Sequence, residues 1–156
     1  MAIEYGFELG APATADDVAG VLAHTAAAHG LTEAPGARFD GEGTRLRSGV
    51  LVLASASTAL PFPDPVEAEF GFAPAVHVLF RFDKFTDPAA QREDMTRLVT
   101  ALLASVAADA VLMFEGEIVW LLRRNGQLTI SERGDFWTPE LAALLPQHDR
   151  ASLPSL

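Results

Sequence analysis

Val76, Val78, Phe80 and Phe82 alternate with His77, Leu79 and Arg81, and Ile3, Tyr5, Phe7 and Leu9 alternate with Glu4, Gly6 and Glu8. Successive side chains of extended backbone point to opposite faces, so each run reads as a strand buried on one side and wet on the other. Such strands need a cover on their dry side. Met95, Leu98, Val99, Leu102, Leu103 and Val106 supply one, because they recur at helical spacing while Arg92, Glu93, Arg97 and Thr100 lie elsewhere. Asp87-Pro88 is a cap-then-proline start for this helix, expected over 88–106. A first helix follows the first strand. Thr14 can accept a bond from an orphan N–H, Asp16 and Asp17 suit the positive first turn, and Val18, Val21, Leu22 and Ala26 form a stripe that Gly30 stops.

Other segments are shorter. Residues 31–45 read as a loop and Val50-Leu51-Val52-Leu53-Ala54 as an apolar strand. Leu60-Pro61-Phe62-Pro63-Asp64-Pro65 cannot enter a sheet interior, since its prolines lack donors; it either packs over the core or presents a contact. Strands are expected at 110–115, 117–123 and 127–132. Asn125-Gly126 makes a hairpin turn between the last two, while Glu115-Gly116-Glu117 is either a tight turn or a bulge. Thr138-Pro139-Glu140 opens a last helix through Leu145, and Pro146 ends it. The order β-α-β-β-α-β-β-β-α implies an α+β two-layer sandwich, a mostly antiparallel sheet with two main helices on one face. Residues 1–146 are expected to form a single domain and 147–156 a loose tail. Glu4, Glu8, His77, Arg81, Gln127, Thr129 and Ser131 would face away from the helices, on a side that an antiparallel sheet can leave wet.

The chain has 156 residues, 49% of them apolar, enough for a core without staples. It has no cysteine, which removes disulfides, thiolate zinc sites and a cysteine nucleophile together. Glu4 sits where a signal peptide needs base, and no apolar run approaches the roughly 20 residues of a membrane span. A cytoplasmic protein is expected, without a membrane partner. The net charge is −10 and Lys84 is the only lysine. Nucleic-acid binders cluster Lys and Arg against phosphates, so neither DNA nor RNA is an expected partner. Excess acid confers solubility, or suits a basic protein partner.

No catalytic constellation emerges. His24 and His29 lie about 140° apart on a helix and cannot converge on one metal. His77 reads as an outward strand residue and His148 as exposed. Glu115 and Glu117 would share a face only on a continuous strand. No serine sits in G-x-S-x-G, and Gly41-Glu42-Gly43 is neither a P-loop nor a dinucleotide fingerprint. Neither catalytic residues nor cofactor or metal ligands are assigned. A small enzyme or ligand-binding domain, with a pocket between sheet and helices lined by His77 and acids, is the alternative to a binding protein.

Glu132-Arg133-Gly134-Asp135-Phe136-Trp137-Thr138-Pro139 concentrates charge beside two large aromatics. Phe136 and Trp137 either anchor the last helix on the core or, with Glu132 and Asp135, form a protein-binding loop. Its Arg-Gly-Asp triplet would carry meaning only outside the cell. A second segment, Phe80-Arg81-Phe82-Asp83-Lys84-Phe85, places Phe80 and Phe82 in the core and leaves Phe85 open.

These segments, with Gln91-Arg92-Glu93-Asp94-Met95-Thr96-Arg97-Leu98-Val99 and Ile118-Val119-Trp120-Leu121-Leu122-Arg123-Arg124, resemble the third class of Sit immunity proteins. That class is named for the swarm-inhibition toxin exchange system of myxobacteria. The likeness is strongest over 76–139 and weak over 31–75. It implies a cytoplasmic antitoxin that binds a delivered cognate toxin and blocks its active site or its access to substrate. It brings no catalytic residues with it.

Overall fold

The computed structural model describes residues 3–156; Met1 and Ala2, the first two residues of the expected domain, lie outside them. The two alternating segments are β1 (Ile3–Gly10) and β4 (Pro74–Phe82). They pair antiparallel from Ile3 opposite Phe82 to Leu9 opposite Val76. Around them stand β2 (Thr44–Arg45), β3 (Leu51–Ala56), β5 (Ala110–Phe114), β6 (Ile118–Arg124), β7 (Gln127–Ser131) and β8 (Asp149–Ala151). They form one sheet in the order β2-β3-β4-β1-β5-β6-β7-β8, antiparallel except for the β7–β8 pair. Asn125 and Gly126 both take positive φ, 51° and 81°, as the β6–β7 hairpin requires. Glu115 and Gly116 do the same, so the ambiguous Glu115-Gly116-Glu117 segment is a tight turn.

Helices α1 (Ala15–Ala28) and α3 (Pro88–Ser105) lie side by side on one face, giving the expected α+β sandwich. Their caps are the ones the sequence marks. Thr14 Oγ1 accepts from the Asp17 N–H at 3.2 Å, and Asp87 Oδ1 from the Ala89 N–H at 3.0 Å. Past α1, Leu31 N–H donates to Ala26 and Gly30 N–H to Ala27, a double bond pattern that consumes the last carbonyls. Phe7, Leu9, Val78, Phe80, Leu98, Val99 and Leu102 have no exposed surface and make up the centre of the core.

The opposite face is not uniformly wet. Helix α2 (Pro65–Phe70), absent from the expected order, folds back beneath β5 and β6. Val66, Phe70 and Phe72 bury Val111, Met113 and Val119 in a second, smaller apolar cluster. Alternation along β5 explains this: Ala110 and Leu112 face the helices, Val111 and Met113 face α2, and the strand is apolar throughout because both sides are dry. The proline loop before α2 stays outside the sheet, with Phe62 at 59% exposure. The expected last helix is shorter, α4 (Pro139–Ala142), and Leu144 and Leu145 continue it with i→i+3 bonds to Leu141 and Ala142. The segment expected to be a loose tail carries β8, which pairs with β7, and a bridge from Ser155 to Ile118.

Candidate protein-binding site

The loop from β7 to α4 is built on an irregularity in β6. Leu112 of β5 pairs with Leu121, but its neighbour Met113 pairs with Val119, so Trp120 is an extra residue. A bulge of this kind sends two successive side chains to one face and takes a carbonyl out of the ladder. Both consequences are used. Trp120 joins Leu121 on the helix side, and its carbonyl accepts from the Trp137 indole N–H at 2.7 Å.

Phe136 stacks on Trp120, with ring centroids 4.8 Å apart and planes 13° apart. Trp137 meets Phe136 edge-on at 4.8 Å, and Tyr5 tilts against it at 5.6 Å. Tyr5 in turn contacts Phe82 and Phe114. Such tilted and stacked pairs contribute about 0.5–1.5 kcal/mol each beyond the area they bury. Phe136 is 6% exposed and Trp137 3%, so both hold α4 and the loop onto the core. Glu132 and Asp135 are exposed, as are Arg133 and Gly134 between them. The structure therefore separates the four proposed contact residues into two buried anchors and two accessible carboxylates.

Beside Asp135 lies an open hollow of about 320 Å³, walled by Tyr5, Phe114, Ile118, Trp120 and Phe136 and closed on the helix side by Arg92. The Arg92 guanidinium stands 5.8 Å from the Phe136 centroid. Burial raises the Tyr5 hydroxyl pKa above its ordinary value, and Arg92 beside it acts in the opposite sense. Among the described residues neither Arg92 Nε nor Trp120 Nε1 finds a hydrogen-bond partner. The hollow has no nucleophile with a base beside it. Sequence reading missed it because Tyr5, Arg92 and Trp120 are distant in the chain, and the bulge that turns Trp120 inward leaves no mark in the apolar run Ile118–Leu122.

His77 lies on the face away from α1 and α3. Its Nδ1 is 2.5 Å from Glu8 Oε1, and farther along the same two strands Arg81 Nε donates to Glu4 Oε1 at 2.8 Å. The bond to Glu8 raises the His77 pKa, against an opposing effect of partial burial. A Cβ on Gly6 would stand 2.9 Å from His77 Cε1, so the imidazole occupies the space that a side chain at position 6 would fill. This places His77 in a cross-strand ladder and not between sheet and helices. Among the described residues no group of His, Asp and Glu side chains is placed to hold a metal ion. No helix of the described residues is long and apolar enough to cross a membrane.

No curated protein and no solved structure matches the chain. A family model described as SitI3-like matches residues 3–141, which takes in the sheet from β1 through β7, α1 to α3 and the start of α4. The chain belongs to the SitI3-like family, the Sit immunity proteins that its sequence resembles.

Proposed function

We propose that this chain is a non-catalytic immunity protein that binds a cognate bacterial toxin in the cytoplasm and neutralises it. The observation that carries this reading is the family match over residues 3–141. The charge of −10 supports a basic toxin as the partner, since complementary charge accelerates encounter and disfavours wrong partners. Glu132 and Asp135 contribute to the contact as exposed carboxylates, and Phe136 and Trp137 contribute by holding the loop in place.

The test is co-expression with toxins of the same exchange system, together with binding kinetics of the chain with any toxin against which it protects. Protection of the cell and a stoichiometric complex are expected, with association slowing as salt rises. Asp135→Lys should leave the melting temperature within about two degrees of the parent, because an exposed charge reversal changes stability by no more than about 0.5 kcal/mol. It should nevertheless slow association. A parent chain that neither protects nor binds sinks the immunity reading. An Asp135→Lys chain that binds like the parent at all salt concentrations removes the 132–137 loop from the interface.

A further inference from the structure

We propose that the toxin is met by one whole end of the sheet, with Phe85 as the apolar anchor and the β5–β6 turn and the 132–135 loop as an acidic flank. This rests on the immunity reading and names the surface that serves it. Register places the parts together. Ile3 pairs with Phe82, Tyr5 with Phe114, and Phe114 with Ile118, so the turn after β4 and the turn between β5 and β6 leave the sheet at the same end. Strand β7 runs antiparallel to β6 and delivers the 132–137 loop there too. From β4 through β1, β5 and β6 to β7 there are four strand spacings, roughly 19 Å. An ordinary interface covers about 800 Å² per partner, roughly 28 Å across, so one partner reaches both extremes.

Phe85 is 86% exposed, more than any other large apolar side chain among the described residues. The turn that displays it is held from below. Gln91, 1% exposed, accepts from the Asp83 N–H at 2.7 Å and donates to the Asp83 carbonyl at 2.8 Å. The Phe85 N–H donates to Asp83 Oδ1 at 2.9 Å, and Thr86 Oγ1 to the Ser48 carbonyl at 3.0 Å. A buried amide committed to both backbone groups of one turn residue fixes that turn before any partner arrives. An anchor displayed in this way loses little further entropy on binding. Aromatic side chains are enriched in interface cores, and a largely exposed phenylalanine on a rigid turn gains apolar burial by being covered.

Charge selects the occupant. Glu115, Glu117, Glu132 and Asp135 are exposed on the flanking turns, with Arg133 the exposed base among them and Lys84 on the anchor turn, its Nζ 5.2 Å from the Phe85 centroid, so acid outweighs base at this end. The surface fits a basic protein face with an apolar depression for Phe85. Phe62, 59% exposed, provides the control, because it follows β3 at the opposite end, where Ala56 pairs with Val76.

The experiment measures binding of the toxin against which co-expression protects to the parent, Phe85→Ala, Glu117→Lys and Phe62→Ala chains, each with a thermal melt. Phe85→Ala should weaken affinity about tenfold or more through faster dissociation, as an anchor truncation does. Glu117→Lys should slow association most at low salt, and Phe62→Ala should bind like the parent. All melts should agree. Parent-like binding by Phe85→Ala, or loss of binding by Phe62→Ala alone, overturns this surface while leaving the immunity reading intact. A parent chain that binds no toxin overturns both.

Discussion

The Trp137 indole N–H donates to the carbonyl of Trp120, 17 positions earlier, at the point where β6 carries one residue more than its partner strand. The carbonyl freed by the bulge would otherwise be an unsatisfied acceptor. The bond therefore ties the loop before α4 to an irregularity in the sheet, and Phe136 fills the space beside it.

Two substitutions separate these effects. Phe136→Ala removes a ring that touches Trp120, Tyr5 and Trp137, and should lower the unfolding free energy by about 3–5 kcal/mol. Trp137→Phe keeps a ring but leaves the Trp120 carbonyl without its donor, with an expected cost of about 1–3 kcal/mol. Urea unfolding of both, beside Asp135→Lys, measures them. If Phe136→Ala unfolds at the parent midpoint, the aromatic cluster is not what secures the loop.

Leu102 tests the helix layer. It has no exposed surface and lies in the main core with Val99, so Leu102→Ala should cost about 2–5 kcal/mol, depending on how far the cavity collapses. A loss below about 1 kcal/mol would mean that α3 is not packed as described.

The pairing of His77 with Glu8 makes stability depend on pH. The folded pKa of His77 lies above its ordinary value of 6.5, so the folded state binds the proton more tightly than the unfolded chain. The stabilisation is complete below about pH 6.5 and is lost as pH rises through the raised folded value. His77→Gln should abolish this slope, measured as the urea midpoint at pH 6 against pH 8. Gly6→Ala offers a second probe. Its Cβ would displace the imidazole, so the His77 titration followed by NMR should move back toward the ordinary value.

What could be read from the chain in advance divides by the range of the interaction responsible. Strands β1 and β4 and the caps at Thr14, Asp87 and Thr138 were legible, because alternation and capping are written within a few residues. Helix α2 was hidden by the proline loop that leads into it, although Asp64-Pro65 repeats the Asp87-Pro88 start and Asp64 Oδ1 accepts from the Val66 N–H at 2.8 Å. Strand β8 is only Asp149, Arg150 and Ala151, and its partner is β7, so nothing local marks it. The site divides in the same way. Glu132 and Asp135 are exposed as a charged loop suggests, whereas the role of Phe136 is decided by Trp120, whose inward turn depends on a bulge set by pairing with β5.

Arg123 closes the C-terminal end of α3. Its guanidinium crosses from β6 to the end of α3 and donates to the carbonyls of Leu103, Val106 and Ala108, the Leu103 bond at 2.6 Å and the Ala108 bond at 2.8 Å. The carbonyls at a helix C-terminus have no partner within the helix and carry the negative end of its dipole, so a cation there is favoured twice, by charge and by hydrogen bonding. Only a planar fork with several N–H groups reaches three acceptors from one stem. Arg123→Gln should therefore lose both contributions, about 2–3 kcal/mol, while Arg123→Lys keeps the charge but not the fork and should recover only part of the difference. Hydrogen exchange of the last turn of α3 supplies a local readout, with faster exchange expected in both variants and the greater change in Arg123→Gln. If lysine restores full stability and parent exchange rates, charge alone is what the end of α3 requires.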